Sequence, residues 1–174
     1  CDIHVRTLEK SEAVHDVSSE IIQDLASKEY FSILFKEFNT NEKNKRDEAG
    51  QILVRFGDVI QNRLLDIVQK ATDSNERINA INIVIGIGQR AIPAIKDRIN
   101  QNAPWYYLRN LAYMLGRIGK ETDAYVLQPL LLHGDERVRG QALKSIYQIG
   151  GKKRGMLLLS ILPKADYQFK LNII

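Results

Sequence analysis

Apolar residues recur along the chain at intervals of three and four, and the blocks they form repeat at a fixed step. Gly57, Gly88, Gly119 and Gly150 lie 31 residues apart, and each follows a large apolar residue: Phe56, Ile87, Ile118 and Ile149. Eight residues before each glycine stand Ala49, Ala80, Leu111 and Ala142; five before stand Ile52, Ile83, Met114 and Ser145; four before stand Leu53, Val84, Leu115 and Ile146. These offsets share one face of an α-helix. Seven residues after the glycines come Leu64, Ile95, Val126 and Leu157, and eleven after come Val68, Ile99, Leu130 and Ile161. That pattern predicts a second amphipathic helix. The unit therefore reads helix, short glycine turn, helix, polar loop. The glycine is expected to close the first helix in a left-handed conformation, which a β-carbon disfavours.

The loops carry matching signals. Asp73-Ser74-Asn75 and Asp135-Glu136 supply N-caps and first-turn acids. Pro93, Pro104 and Pro129 fall near helix starts or breaks, where a missing amide is tolerated. The flanks fit more loosely. Residues 11–38 read as a degenerate repeat, with Ile22, Leu25, Ile33 and Phe38 in the apolar slots, and 39–46 read as a polar loop. Residues 165–174 read as the start of a further helix with Phe169, Ile173 and Ile174 in register. The whole of 1–174 is expected to be a single domain and a piece of a longer chain.

Residues 135–150, Asp-Glu-Arg-Val-Arg-Gly-Gln-Ala-Leu-Lys-Ser-Ile-Tyr-Gln-Ile-Gly, resemble the second helix of HEAT repeats. They look most like the short bacterial HEAT-like repeats named after the phycobilisome lyases, whose pattern runs Asp, Val-Arg, Ala, an apolar residue, Ile-Gly. Residues 73–88 are similar with Arg77-Ile78 in reversed order, and 105–119 keep the frame with the arginine at Arg109. The segment Ala91-Ile-Pro-Ala-Ile95 resembles the first helix of the next repeat. The resemblance spans the regular repeats of 47–162. It implies an all-α fold, an α-α superhelix or solenoid of about four to five two-helix repeats, with the helix carrying Val-Arg on the concave side. The family spans scaffolds, lyase chaperones and nucleic-acid enzymes, so the resemblance speaks for the fold and leaves function open.

A polar row accompanies the inner helices. At 13, 9, 6 and 2 residues before each glycine stand Asn44, Glu48, Gln51 and Arg55; Asn75, Asn79, Asn82 and Gly86; Tyr106, Asn110, Tyr113 and Arg117; Arg137, Gln141, Lys144 and Gln148. Only Glu48 is acidic, while four are cationic and none is aliphatic. A merely solvated face mixes Glu with Lys for pairing one turn apart. Amides, tyrosine and arginine suit an adaptable interface. The candidate binding residues are Gln51, Arg55, Asn79, Asn82, Tyr106, Asn110, Tyr113, Arg117, Arg137, Gln141, Lys144 and Gln148. Three further features have blander readings. Asp73 with Arg77 and Asp135 with Arg139 read as structural ion pairs. Trp105 and Tyr107 read as plugs between repeats, with a stacking platform as the alternative. Lys152-Lys153-Arg154 reads as a solvated turn, with a phosphate site at the helix start as the alternative.

Composition narrows the field. Apolar residues make up 44% and charged residues 26% of 174, with net charge +4, a balance suited to a globular domain and too weakly basic to argue for nucleic acid alone. One cysteine, Cys1, permits no internal disulfide and no cysteine-based metal site. Cys1 also fits a lipoprotein start, although a trimmed end accounts for it together with Ile173-Ile174. No run of 18 apolar residues is present, so no membrane span is expected. His4, His15 and His133 show no metal spacing, and no His-Glu pair, nucleophile elbow or phosphate loop occurs. Gly86-Ile87-Gly88 lacks a third glycine for a dinucleotide site, and a glycosylase-type cleft would need an acid nearer Trp105 than Glu48. The expectation is therefore a non-enzymatic protein–protein interaction scaffold, cytoplasmic and part of a larger bacterial protein. It binds a protein or peptide partner and needs no cofactor or metal. The alternative is a nucleic-acid or phosphate-binding module using Arg55, Arg117, Arg137, Lys144 and residues 152–154; an accessory lyase-like enzyme stands third.

Overall fold

The computed structural model describes residues 28–173 apart from residue 101, and among these it contains helices, turns and no strand. The expected apolar slots at Ile22 and Leu25, together with Cys1, His4 and His15, lie outside the described residues. In chain order the α-helices are α1 (Lys28–Phe38), α2 (Lys43–Arg55), α3 (Gly57–Lys70), α4 (Ser74–Ile87), α5 (Ile92–Arg98), α6 (Trp105–Ile118), α7 (Ala124–Leu127), α8 (Glu136–Ile149), α9 (Arg154–Ile161) and α10 (Tyr167–Ile173). The chain divides into two compact units, Cys1–Asn62 and Arg63–Ile174, with the division falling inside α3.

In the first unit α1 packs against α2. Phe31 and Phe35 are buried and stack at 5.6 Å, whereas Ile33, placed in an apolar slot by its register, is exposed. The Phe38 ring lies against α2, and a β-carbon on Gly50 would sit 2.8 Å from it. α2 starts at Lys43, inside the stretch expected as loop, because Lys43-Asn44-Lys45-Arg46 carries no breaker and Lys45 pairs with Glu42 at 3.0 Å.

In the second unit α4, α6 and α8 are each 14 residues long. Their caps are local chemistry. Asp73 Oδ1 accepts from the amides of Asn75 (2.6 Å) and Glu76 (3.0 Å), and Asp135 Oδ1 accepts from Arg137 N (2.9 Å). The predicted apolar face is buried: Ala80, Val84, Leu111, Leu115, Ala142 and Ile146 are sealed from solvent. α6 and α8 run side by side in one direction. Arg137 meets Trp105 near their starts, and the fully buried Ser145 donates to Ala112 O at 2.8 Å further on. That approach requires Gly116, since a β-carbon there would lie 2.6 Å from Ser145 Cβ.

The glycine turns differ from the expectation. Only Gly88 of the four has positive φ (72°). Gly119 (φ −73°) and Gly150 (φ −70°) close their helices without it, and close approach is what a side chain would disturb there: a β-carbon on Gly119 would lie 3.0 Å from Ile149 Cδ1. The later second helices, α5, α7 and α9, are shorter than the 14-residue α3. α7 passes into a 3-10 segment, Gln128–Leu132, where Pro129 has no amide to continue the α-helical ladder. Ser74–Arg98 is, by length and composition alone, able to cross a membrane, and half of its most apolar stretch is buried inside the protein. The stretch reaches that length because α4 and α5 follow each other through a 3-10 turn, Gly88–Ala91, so it stands as one exception to the expected lack of a spanning segment.

Side-chain bonds tie successive elements of this unit together. Arg98 Nη1 donates to Asp66 (2.6 Å, 32 residues apart), Gln128 Nε2 to Ser160 Oγ (2.7 Å, 32 apart), and Tyr147 Oη to Ile173 O (2.9 Å, 26 apart). Asp123, 6% exposed, accepts from Lys120 N at 2.8 Å and pairs with Lys96 Nζ at 2.5 Å. Burial works to raise its carboxyl pKa, but the Lys96 and Lys120 contacts outweigh burial and leave it below its ordinary value.

Candidate functional site

The second unit carries a cleft of about 470 Å³ between the first halves of α4 and α6. Ile78 and Ile81 form its apolar side and Trp105 and Tyr106 its aromatic wall. Arg77, Arg109 and Asn110 supply the polar groups, with Ser74 at the edge. Among the described residues no carboxylate lines it. The helical spacing explains the convergence, since Ser74, Arg77, Ile78 and Ile81 share one face of α4 while Trp105, Tyr106, Arg109 and Asn110 share one face of α6.

The aromatic wall is held from both ends. Tyr106 Oη donates to Gln69 O at 2.9 Å, and Trp105 meets Tyr106 edge-on at 6.0 Å. The Arg137 guanidinium lies 3.3 Å from the Trp105 ring centroid. Arg137 is itself gripped by Asp135, through Nη2–Oδ2 at 2.6 Å and Nε–Oδ1 at 3.0 Å. The Asp135 carboxyl is accordingly held down at about 2, chiefly by the Arg137 hydrogen bond. Arg77 lies 5.9 Å from the Tyr106 ring centroid and donates to Ser74 Oγ at 3.5 Å. Arg109 is exposed and its side chain makes no hydrogen bond or ion pair among the described residues.

These contacts correct three expectations. Asp135 pairs with Arg137, two residues on, because both point back over the helix start; Arg139 instead donates to His133 O (3.0 Å) and Gly134 O (3.2 Å) and pairs with Asp166 at 3.7 Å. Asp73 is engaged as a cap, and Arg77 turns to Ser74 and Tyr106. Of the two plugs, Tyr107 is buried, with burial pushing its phenol pKa up against the pull of Arg98, while Trp105 stays partly exposed beside the cleft. At 152–154 one backbone donor is already engaged, since Lys153 N donates to Glu121 Oε1 at 3.0 Å. His133 is likewise engaged, its Nδ1 accepting from Asp135 N at 3.0 Å.

The polar row is accessible throughout. Gln51 and Arg55 are exposed on α2 in the first unit. In the second unit Asn82, Arg117, Arg137, Lys144 and Gln148 are exposed, and Asn79, Tyr106, Asn110, Tyr113 and Gln141 are partly so. Some of these groups are committed internally: Arg137 and Tyr106 as above, and Gln141 through Nε2 to Ser145 Oγ at 3.1 Å. The Arg117 and Lys144 side chains make no hydrogen bond or ion pair among the described residues. The row meets the cleft at Tyr106 and Asn110. Sequence reasoning overlooked Arg109, although it lies three residues after Tyr106 and so shares its face. Set beside known proteins, the chain matches no protein-family model and no curated protein.

Proposed function

We propose that the second unit is a HEAT-like α-solenoid with a 31-residue repeat, and that the chain is a non-enzymatic scaffold binding a peptide or partner protein on the face of α4, α6 and α8. The starts of these helices at Ser74, Trp105 and Glu136 and the bonds joining residues about one repeat apart support the solenoid. Contacts confined to neighbouring units are how such arrays are held together. The binding reading is carried by one observation. The accessible row through Asn82, Asn110, Tyr113, Arg117, Lys144 and Gln148 has no carboxylate among its members, and it runs into a cleft with an aromatic wall. Such groups favour an interface over plain solvation. Two contacts weigh against a nucleic-acid module: one face of Trp105 is covered by Arg137, and an amide at the basic turn is taken by Glu121.

The test is the triple replacement of Tyr113, Arg117 and Lys144 by alanine, assayed on an array of random-sequence peptides and checked for folding by circular dichroism. Peptides retained by the wild type should be lost by the folded triple variant. Retention unchanged by the triple variant rejects this face. Binding of oligonucleotides that collapses as salt rises, with no peptide retained, replaces the proposal by the nucleic-acid reading.

A further inference from the structure

We infer that the cleft between α4 and α6 selects an acidic, aliphatic-rich segment of a partner protein, with Arg109 as its carboxylate anchor. The inference rests on the scaffold reading and names the chemistry of what the scaffold takes.

Three observations carry it. First, among the described residues the cleft presents two guanidiniums and no carboxylate, so an anionic group entering it meets opposite charge there. Arg77 is partly committed to Ser74 and Tyr106, whereas Arg109 is exposed and has no partner among the described residues. A guanidinium's rigid fork matches a carboxylate through two parallel hydrogen bonds. Second, the cationic groups sit beside apolar surface. Ile78 is 52% exposed and lines the cleft beside the already buried Ile81, so an aliphatic side chain next to the acid would cover Ile78. A bare phosphate leaves that surface wet. Third, Trp105 offers no open sandwich for a nucleobase, because Arg137 covers one face at 3.3 Å and Tyr106 meets the ring edge-on. Asn110 beside Arg109 supplies an amide that can donate to and accept from a peptide backbone.

The experiment uses the whole chain and three fluorescent probes: a capped peptide of alternating Asp and Leu, its counterpart of alternating Asn and Leu, and a single-stranded oligonucleotide. The Asp-Leu peptide should bind, and the Asn-Leu peptide should bind at least about tenfold more weakly, as expected for loss of a charge-assisted contact. Arg109→Gln should weaken Asp-Leu binding about tenfold, with thermal midpoint and circular dichroism unchanged, and Arg109→Lys should fall between the two because it keeps charge without the fork. Equal binding of the two peptides overturns the acidic selection and leaves the scaffold reading standing. Asp-Leu binding untouched by Arg109→Gln but lost in the Tyr113, Arg117 and Lys144 triple variant moves the anchor out of the cleft, again sparing the scaffold. Oligonucleotide binding without peptide binding overturns both.

Discussion

Replacing Lys96 by methionine removes the ammonium that compensates Asp123 while keeping most of the side chain's bulk. The carboxyl is 6% exposed, holds Lys96 Nζ at 2.5 Å and retains one other donor, Lys120 N at 2.8 Å. Stranding a fully buried charge costs about 3–5 kcal/mol. The Lys96 side chain is 35% exposed, so solvent already screens part of the attraction, and a loss of about 2 kcal/mol near neutral pH is the expectation. The pH dependence supplies the sharper check. In the wild type the folded carboxyl pKa is depressed, so its stabilisation is complete above the unfolded carboxyl value and disappears as pH falls through the folded one. In Lys96→Met only the Lys120 contacts still oppose burial, and the folded pKa rises from its wild-type position. The penalty should then be largest near neutrality and should shrink as acid protonates the buried carboxyl. Asp123→Asn, which keeps an acceptor for Lys120 N and lets Lys96 turn to water, should cost only about 1 kcal/mol. Urea unfolding of both variants from neutral to mildly acidic pH measures this. A Lys96→Met loss below about 0.5 kcal/mol, or one that does not change with pH, would refute the reasoning.

Gly116→Ala should destabilise by about 1 kcal/mol, as overpacking against the buried Ser145 exceeds the helix-propensity gain of alanine; a thermal melt at or above the wild-type midpoint would contradict the close approach. Asp73→Ala removes the acceptor for two α4 amides and should cost about 0.5–2 kcal/mol in urea unfolding, with Asp73→Ser recovering much of it. Trp105 is the sole tryptophan, so Arg137→Ala, which uncovers its ring, should shift its emission to longer wavelength with little change in stability; unchanged emission would mean that the guanidinium does not cover the ring in solution.

In the second unit the positions of α4, α6 and α8 and their buried faces were legible in the residues alone. Periodicity is local, and Ala80, Val84, Leu111, Leu115, Ala142 and Ile146 fall on the core face because 3.6-residue geometry puts them there. The caps at Asp73 and Asp135 were legible for the same reason, since a cap reaches only its own next turn. Accessibility of the polar row also followed from helical spacing. Partner choice among long side chains did not. Asp135 had Arg137 and Arg139 within reach, and the packing of α8 beside Trp105 and Asp166 assigned one to each. Nor could spacing reveal that Glu121 would take the Lys153 amide or that Asp123 would meet Lys96, since those contacts depend on how successive elements stack. The cleft belongs to the same class. Its residues lie on two helices whose faces are predictable one at a time, but the gap between them, and the isolation of Arg109 within it, exist only once α4 and α6 are set side by side.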